Sequence, residues 1–168
     1  GMKLIDEKLG GTTPLEVILK FPDKKEEKLD EDDEFEDWGD EEKNDDKYWF
    51  TKDKIETISQ IHNYLDNLPE TGKVLSFSSI VDVATQLNNN KPLGTLEMGV
   101  LYTKIPENIK TEIIDPYISI KDNEARISLR IIDSQKDLKR NELIKKINYD
   151  LQNDCLLYTS DAADDGYR

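Results

Sequence analysis

The pattern of apolar and polar residues divides this chain into alternating short extended runs and amphipathic helical runs. A tight Gly10-Gly11 turn leads into Pro14 and an apolar run of Leu15, Val17, Ile18, Leu19 and Phe21. Glycine allows the positive-φ turn, and β-branched residues bounded by Pro14 and Pro22 read as a strand. Thr51 then caps a helix over 52–68, with Ile55, Ile58, Ile61, Leu65 and Leu68 at helical spacing and Pro69 as the stop. Gly72 turns the chain into a short strand, Lys73 to Phe77. Ser79 and Asp82 have capping-box-like spacing ahead of Val83, Ala84 and Leu87, with Asp in place of the usual Glu. Residues 95–103 and 106–114 read as two more short helices, Pro106 suiting a first helical position.

After the break at Asp115-Pro116, residues 117–120 are extended and 121–124 form a turn. Ala125, Ile127, Leu129 and Ile131 alternate with Arg126, Ser128 and Arg130, the signature of a half-buried strand. Asp133 or Ser134 then caps a last helix that carries Leu138, Leu143, Ile144, Ile147 and Leu151 on one face. Two strand–helix units of this kind, joined by a helical excursion over 79–114, predict an α+β domain.

Composition adds one large asymmetry. The chain has 168 residues and a formal net charge of −14, and 23–46 alone holds fifteen acidic side chains and four lysines, a net −11. Such a run cannot bury enough apolar surface to offset its ordering entropy, so 23–46 reads as a solvated acidic loop, with Trp38 touching the body. A calcium or cationic-partner site is the sharper alternative, but Trp38 stands where the turn around Gly39 would need an oxygen ligand. The acidic balance excludes nucleic acid and anionic membrane as partners, because phosphate contact needs clustered Lys and Arg. No stretch approaches the ~20 apolar residues that cross a bilayer. Gly1-Met2 reads as a protease scar before a start codon. Residues 155–168 read as an artefactual tail, since Leu156 to Asp165 is similar to translated sequencing-adaptor DNA. Between them lies one domain, 3–154.

Candidate chemistry is thin, and no catalytic, cofactor-binding or metal-ligating residue is expected. His62 is the only histidine and has no partners at ligand spacing, so packing or a surface position is its expected role. Cys155, the single cysteine, allows no intrachain disulfide and has no histidine nearby in sequence to activate it. Gly72-Lys73-Val74 lacks the spacing of a phosphate loop, and no nucleophile elbow is present. Arg126 and Arg130 share a polar strand face that Glu16 faces, which reads as a cross-strand ion pair or, alternatively, part of a substrate path. Trp49-Phe50, just before the first long helix, reads as a hydrophobic lid or staple.

Four blocks carry a family resemblance. They are Leu9 to Leu19; Tyr64 to Pro69 with Gly72 to Ser76; Leu101-Tyr102 to Pro106 with Ile114 to Tyr117; and Glu124 to Arg130 with Asp133-Ser134. In this order and spacing, over roughly 4–152, the chain resembles the large extracytoplasmic loop of resistance–nodulation–division (RND) exporters, in the branch of MMPL-type and hydrophobe/amphiphile exporters. The resemblance implies a ferredoxin-like porter subdomain of two strand–helix–strand repeats, with extra short helices and the last strand truncated. It implies a periplasmic domain of a proton-driven exporter in the bacterial inner membrane. Its partners would be the parent transporter's other domains and membrane helices, and hydrophobic or amphiphilic substrates. Its truncation would leave strand 14–20 with an unpaired edge, to be filled by Leu156–Thr159 or by a neighbouring molecule. The acidic run 23–46 looks longer than the family's usual connection. A stand-alone acidic module that binds a basic partner or a divalent cation is the alternative.

Overall fold

The alternating stretch at 125–131 becomes the middle of a sheet. In the computed structural model, which describes residues 2–22, 45–134 and 139–153, the chain begins with α1 (Met2–Leu9) and β1 (Thr13–Lys20). A 3₁₀ turn (Asp45–Trp49), α2 (Lys52–Asp66), β2 (Thr71–Leu75), α3 (Phe77–Leu87) and α4 (Thr95–Lys104) follow. Next come α5 (Glu107–Ile109), which runs on as a π turn (Lys110–Ile114), then β3 (Ile118–Ser119), β4 (Glu124–Ile131) and α6 (Arg140–Asn153). The fold is α+β with an antiparallel sheet.

β4 lies between β1 and β2. It pairs with β1 along its whole length, from Thr13 opposite Ile131 to Lys20 opposite Glu124. Its other flank is shared by β2, with Thr71 opposite Ile131, and the short β3, with Ile118 opposite Ala125. The predicted alternation holds: Ala125, Ile127, Leu129 and Ile131 are at most 1% exposed, while Arg126 and Arg130 face solvent. Onto the apolar face pack Ile58, Ile61 and Leu65 of α2 and Leu143, Ile147 and Leu151 of α6. Tyr64 of α2 donates its hydroxyl to Asp150 of α6, which ties the two helices together. Each fully buried aliphatic side chain contributes about 1.5–3 kcal/mol, so this layer holds the body together.

The Gly10-Gly11 turn takes positive φ as expected, 68° and 98°. Leu9 closes α1, a helix that has no counterpart in the sequence reading. Asp6 fastens it, accepting from Thr12 Oγ1 at 2.7 Å and from the Ser134 N–H at 2.7 Å. The close approach of Gly72 to Gly10 seals the corner, since a Cβ on Gly72 would lie 2.2 Å from Gly10 O.

Several boundaries move from their expected places, with α2 ending at Asp66 rather than 68 and β2 starting at Thr71 rather than Lys73. Phe77 begins α3 instead of ending β2, because extended Ser76 is the N-cap and Ser79, not Asp82, completes the capping box. Asp133 and Ser134 do not cap α6. Asp133 accepts from Thr13 and Arg140, Ser134 donates to Asp6, and α6 starts at Arg140. Asp45 and Asp46, expected in the acidic loop, belong to the 3₁₀ turn. Residues 23–44, with Phe35, Trp38 and the calcium alternative around Gly39, lie outside the described residues. So do Leu138 and, with Cys155 and Leu156–Thr159, residues 154–168.

Candidate functional site

The helical excursion is built on Ser76. This side chain is wholly buried, accepts from the Ser78 N–H at 3.1 Å, and lies 2.9 Å from Nδ1 of His62 on α2. The Ser76 N–H in turn donates to Ser79 Oγ at 3.3 Å. These bonds satisfy the Ser76 and Ser78 N–H groups at the start of α3. Asn88 ends the helix by donating its N–H to Ala84 and Thr85, and Asn89 and Asn90 then turn the chain with φ of 57° and 59°. Asparagine tolerates that left-handed geometry better than most residues.

α3 presents Ser79, Ile80, Val83, Ala84 and Leu87 along one stripe of its surface, at spacings of three and four. Facing it are Ile105, Ile109, Ile113, Ile114 and Tyr117, from α5, the π turn and the residues on either side. The π turn is closed by the Asp115 N–H donating to Lys110 O at 3.0 Å, and such turns occur often at functional sites. Between these walls, floored by Leu75, runs an open groove of ≈ 510 Å³ in which one lining residue, Glu112, is charged. Leu87 is 82% exposed, Val83 56% and Ile113 46%. A contiguous apolar surface of this kind marks an interaction site more often than chance exposure does.

Behind the groove, α3 shares Ile80, Val81 and Ala84 with a cavity of ≈ 30 Å³ lined by Met98, Leu101 and Tyr102 of α4. The Tyr102 ring lies 5.0 Å from that of Phe50, tilted by 48°, and Phe50 lies 5.5 Å from Phe77. Burial raises the Tyr102 phenol above its ordinary value. Lys110 sits 4.6 Å from the centre of the same ring. The groove therefore has a firm aromatic backing and an apolar lining. It can hold an apolar chain by exclusion of water, and its few polar lining residues are Ser76, Ser79, Glu112 and Tyr117.

The residues singled out in the sequence scatter to other places. His62, expected in a packing or surface role, lies against Ser76 at the α3 cap. Ser76 is too deeply buried, and too committed to its cap, for that contact to act as a nucleophilic dyad. Arg126 meets Glu16 at 3.8 Å across β1 and β4, an exposed pair worth little in water. Arg130 is exposed on the same face. Trp49 and Phe50 are 6% and 1% exposed, and Trp49 Nε1 donates to Asn123 Oδ1 at 3.0 Å. Sequence reading missed the groove itself. Its signal was present in Val83, Leu87, Ile109 and Ile113, but helical periodicity cannot tell an apolar stripe that will be covered from one that will stay open. Comparison with protein-family models, curated proteins and solved structures finds no match.

Proposed function

We propose that this chain is a periplasmic porter domain of a proton-driven RND-type exporter, contributing part of the external path for hydrophobic or amphiphilic molecules. The observation that carries the reading is the open apolar groove between α3 and the π turn, a surface suited to an alkyl or ring-bearing ligand with a polar head in water. The sheet order supports it as well. Among the described residues the strand order β1-β4-β2, with α2 between β1 and β2 in sequence, has the order of the first three strands of a ferredoxin-like sheet. Proton coupling in this reading belongs to carboxylates in membrane helices beyond this chain, and the domain itself performs no chemistry.

Titration with a neutral naphthylamine dye and competition by octyl maltoside below its micellar concentration tests this. Saturable dye binding that the detergent displaces, and that Val83→Lys with Ile113→Lys abolishes without changing the circular dichroism, is the expected result. Binding indifferent to those two substitutions, or none at all, refutes the role of the groove. The second reading, an acidic module for a basic partner or divalent cation, rests on the net −11 of 23–46. A calcium-dependent rise in melting temperature would favour it through ligand linkage.

A further inference from the structure

β1 has one paired side. Among the described residues it pairs with β4 alone and stands at the end of the sheet. The Phe21 N–H donates to Asn123 O at 2.9 Å in the same register, so odd positions of β1 turn their backbone groups toward β4. Even positions, Pro14, Glu16, Ile18 and Lys20, turn theirs to the free edge. Pro14 suits this arrangement, because its missing N–H falls on the side where β4 needs no donor.

Natural edge strands are usually blunted by shortness, a bulge, an inward charge, or Pro and charged residues on the edge. β1 carries Pro14 and Lys20 near its two ends, and Glu16 is the one charge between them. It runs eight residues in unbroken register against β4 and turns Leu15, Val17 and Leu19 inward. Leu15 and Val17 remain only half-buried, and Ile18 is 42% exposed on the outer face.

We infer that this edge recognises itself: β1 pairs antiparallel with β1 of a second copy about a two-fold axis through Ile18. The charge pattern selects that register. With Ile18 opposite its symmetry mate, each Glu16 faces the second copy's Lys20, so two opposite-charge pairs flank an apolar centre. A shift of two positions one way sets Glu16 against Ile18 and Pro14 against Lys20. A shift of four positions sets Glu16 against Glu16 or Lys20 against Lys20. On the inner face the same register lays Val17 against Leu19 and Leu15 against Phe21, covering side chains that one copy leaves half-open. Glu16 and Lys20 already touch Arg126 at 3.8 Å and Glu124 at 2.9 Å within the chain. Those contacts are exposed and leave both side chains within reach of a partner. The inference does not depend on the exporter reading.

Analytical ultracentrifugation of the full chain over a wide concentration range tests it. Wild type is expected to show a concentration-dependent monomer–dimer equilibrium. Glu16→Lys alone and Lys20→Glu alone should each weaken the dimer about tenfold, since like charges then face one another across the axis. An equimolar mixture of the two variants should recover the wild-type affinity as a heterodimer, a gain that a merely structural role for either residue would not produce. Ile18→Pro removes an outward N–H that β4 does not use, so it should abolish dimerisation while the far-ultraviolet circular dichroism stays unchanged. A wild-type monomer at every concentration overturns the proposal, as does a mixture that associates no more tightly than its two components.

Discussion

In the body of the molecule, Ile127, Leu129 and Ile131 of β4 share one closed core with Ile58, Ile61 and Leu65 of α2, and none of them is more than 1% exposed. From α3 to the π turn, side chains of the same kind, Val83, Leu87, Ile109 and Ile113, stand open to water. The two regions do not differ in the direction that exposure would suggest, since α3 carries one charged residue, Asp82, and α2 carries five. They differ in whether a second layer lies over the stripe. α2 and α6 have the sheet beneath them, whereas α3 spends one face on the aromatic cluster of Phe50, Phe77 and Tyr102 and keeps another uncovered. The closed core lies in the first region and the exposed apolar surface in the second.

That division can be broken at its strong end. Ile127→Ala empties a wholly buried site in the central strand and should cost about 3–4 kcal/mol, read as a lowered denaturation midpoint with an unchanged slope. Gly72→Ala forces a Cβ against the Gly10 carbonyl and should cost at least ~2 kcal/mol in the same measurement. A cost near zero would show that the corner between α1 and β2 yields freely.

Acid should loosen one part of the body first. Asp6 is held below the ordinary carboxylate value chiefly by the Thr12 hydroxyl, and Asp133 chiefly by the Thr13 hydroxyl. A carboxyl depressed in the folded state contributes its stabilisation above its unfolded value, about 3.9, and loses it as pH falls through the lower folded value. Below about pH 4, the Ser134 amide, which donates to Asp6, should therefore exchange faster relative to core amides. Asp6→Asn should make that exchange fast already at neutral pH and remove most of its acid dependence. The smallest expected effect sharpens the comparison from the other side. Val83→Ser with Leu87→Ser should change stability by under ~0.5 kcal/mol, as surface substitutions do, while eliminating dye binding to the groove.

Legibility in the sequence followed locality. Thr51 as the cap of α2, the alternation of β4 and the positive φ of Gly10 and Gly11 depend on residues a few positions apart, and each is where the pattern put it. Asp133 misled because its side chain answers to Thr13, far away in sequence, rather than to the helix that follows. Ser79 was recognised as a capping residue but assigned the wrong partner, since the cap depends on Ser76 being pinned beside His62. α1 went unread because what ties it down, Asp6 bonded to Ser134, is a contact across nearly the whole chain.

By itself the order of residues determined that this chain makes an α+β domain with β4 as a one-sided strand and α2 as an amphipathic helix, because periodicity and capping act over a turn or two. Only the tertiary structure decided that β4 sits between β1 and β2, that α3 shares its apolar surface between an aromatic core and an open groove, and that β1 is, among the described residues, at the end of the sheet. Those outcomes depend on which surfaces meet, and a side chain's hydrophobicity states how much it gains from being covered without naming what will cover it.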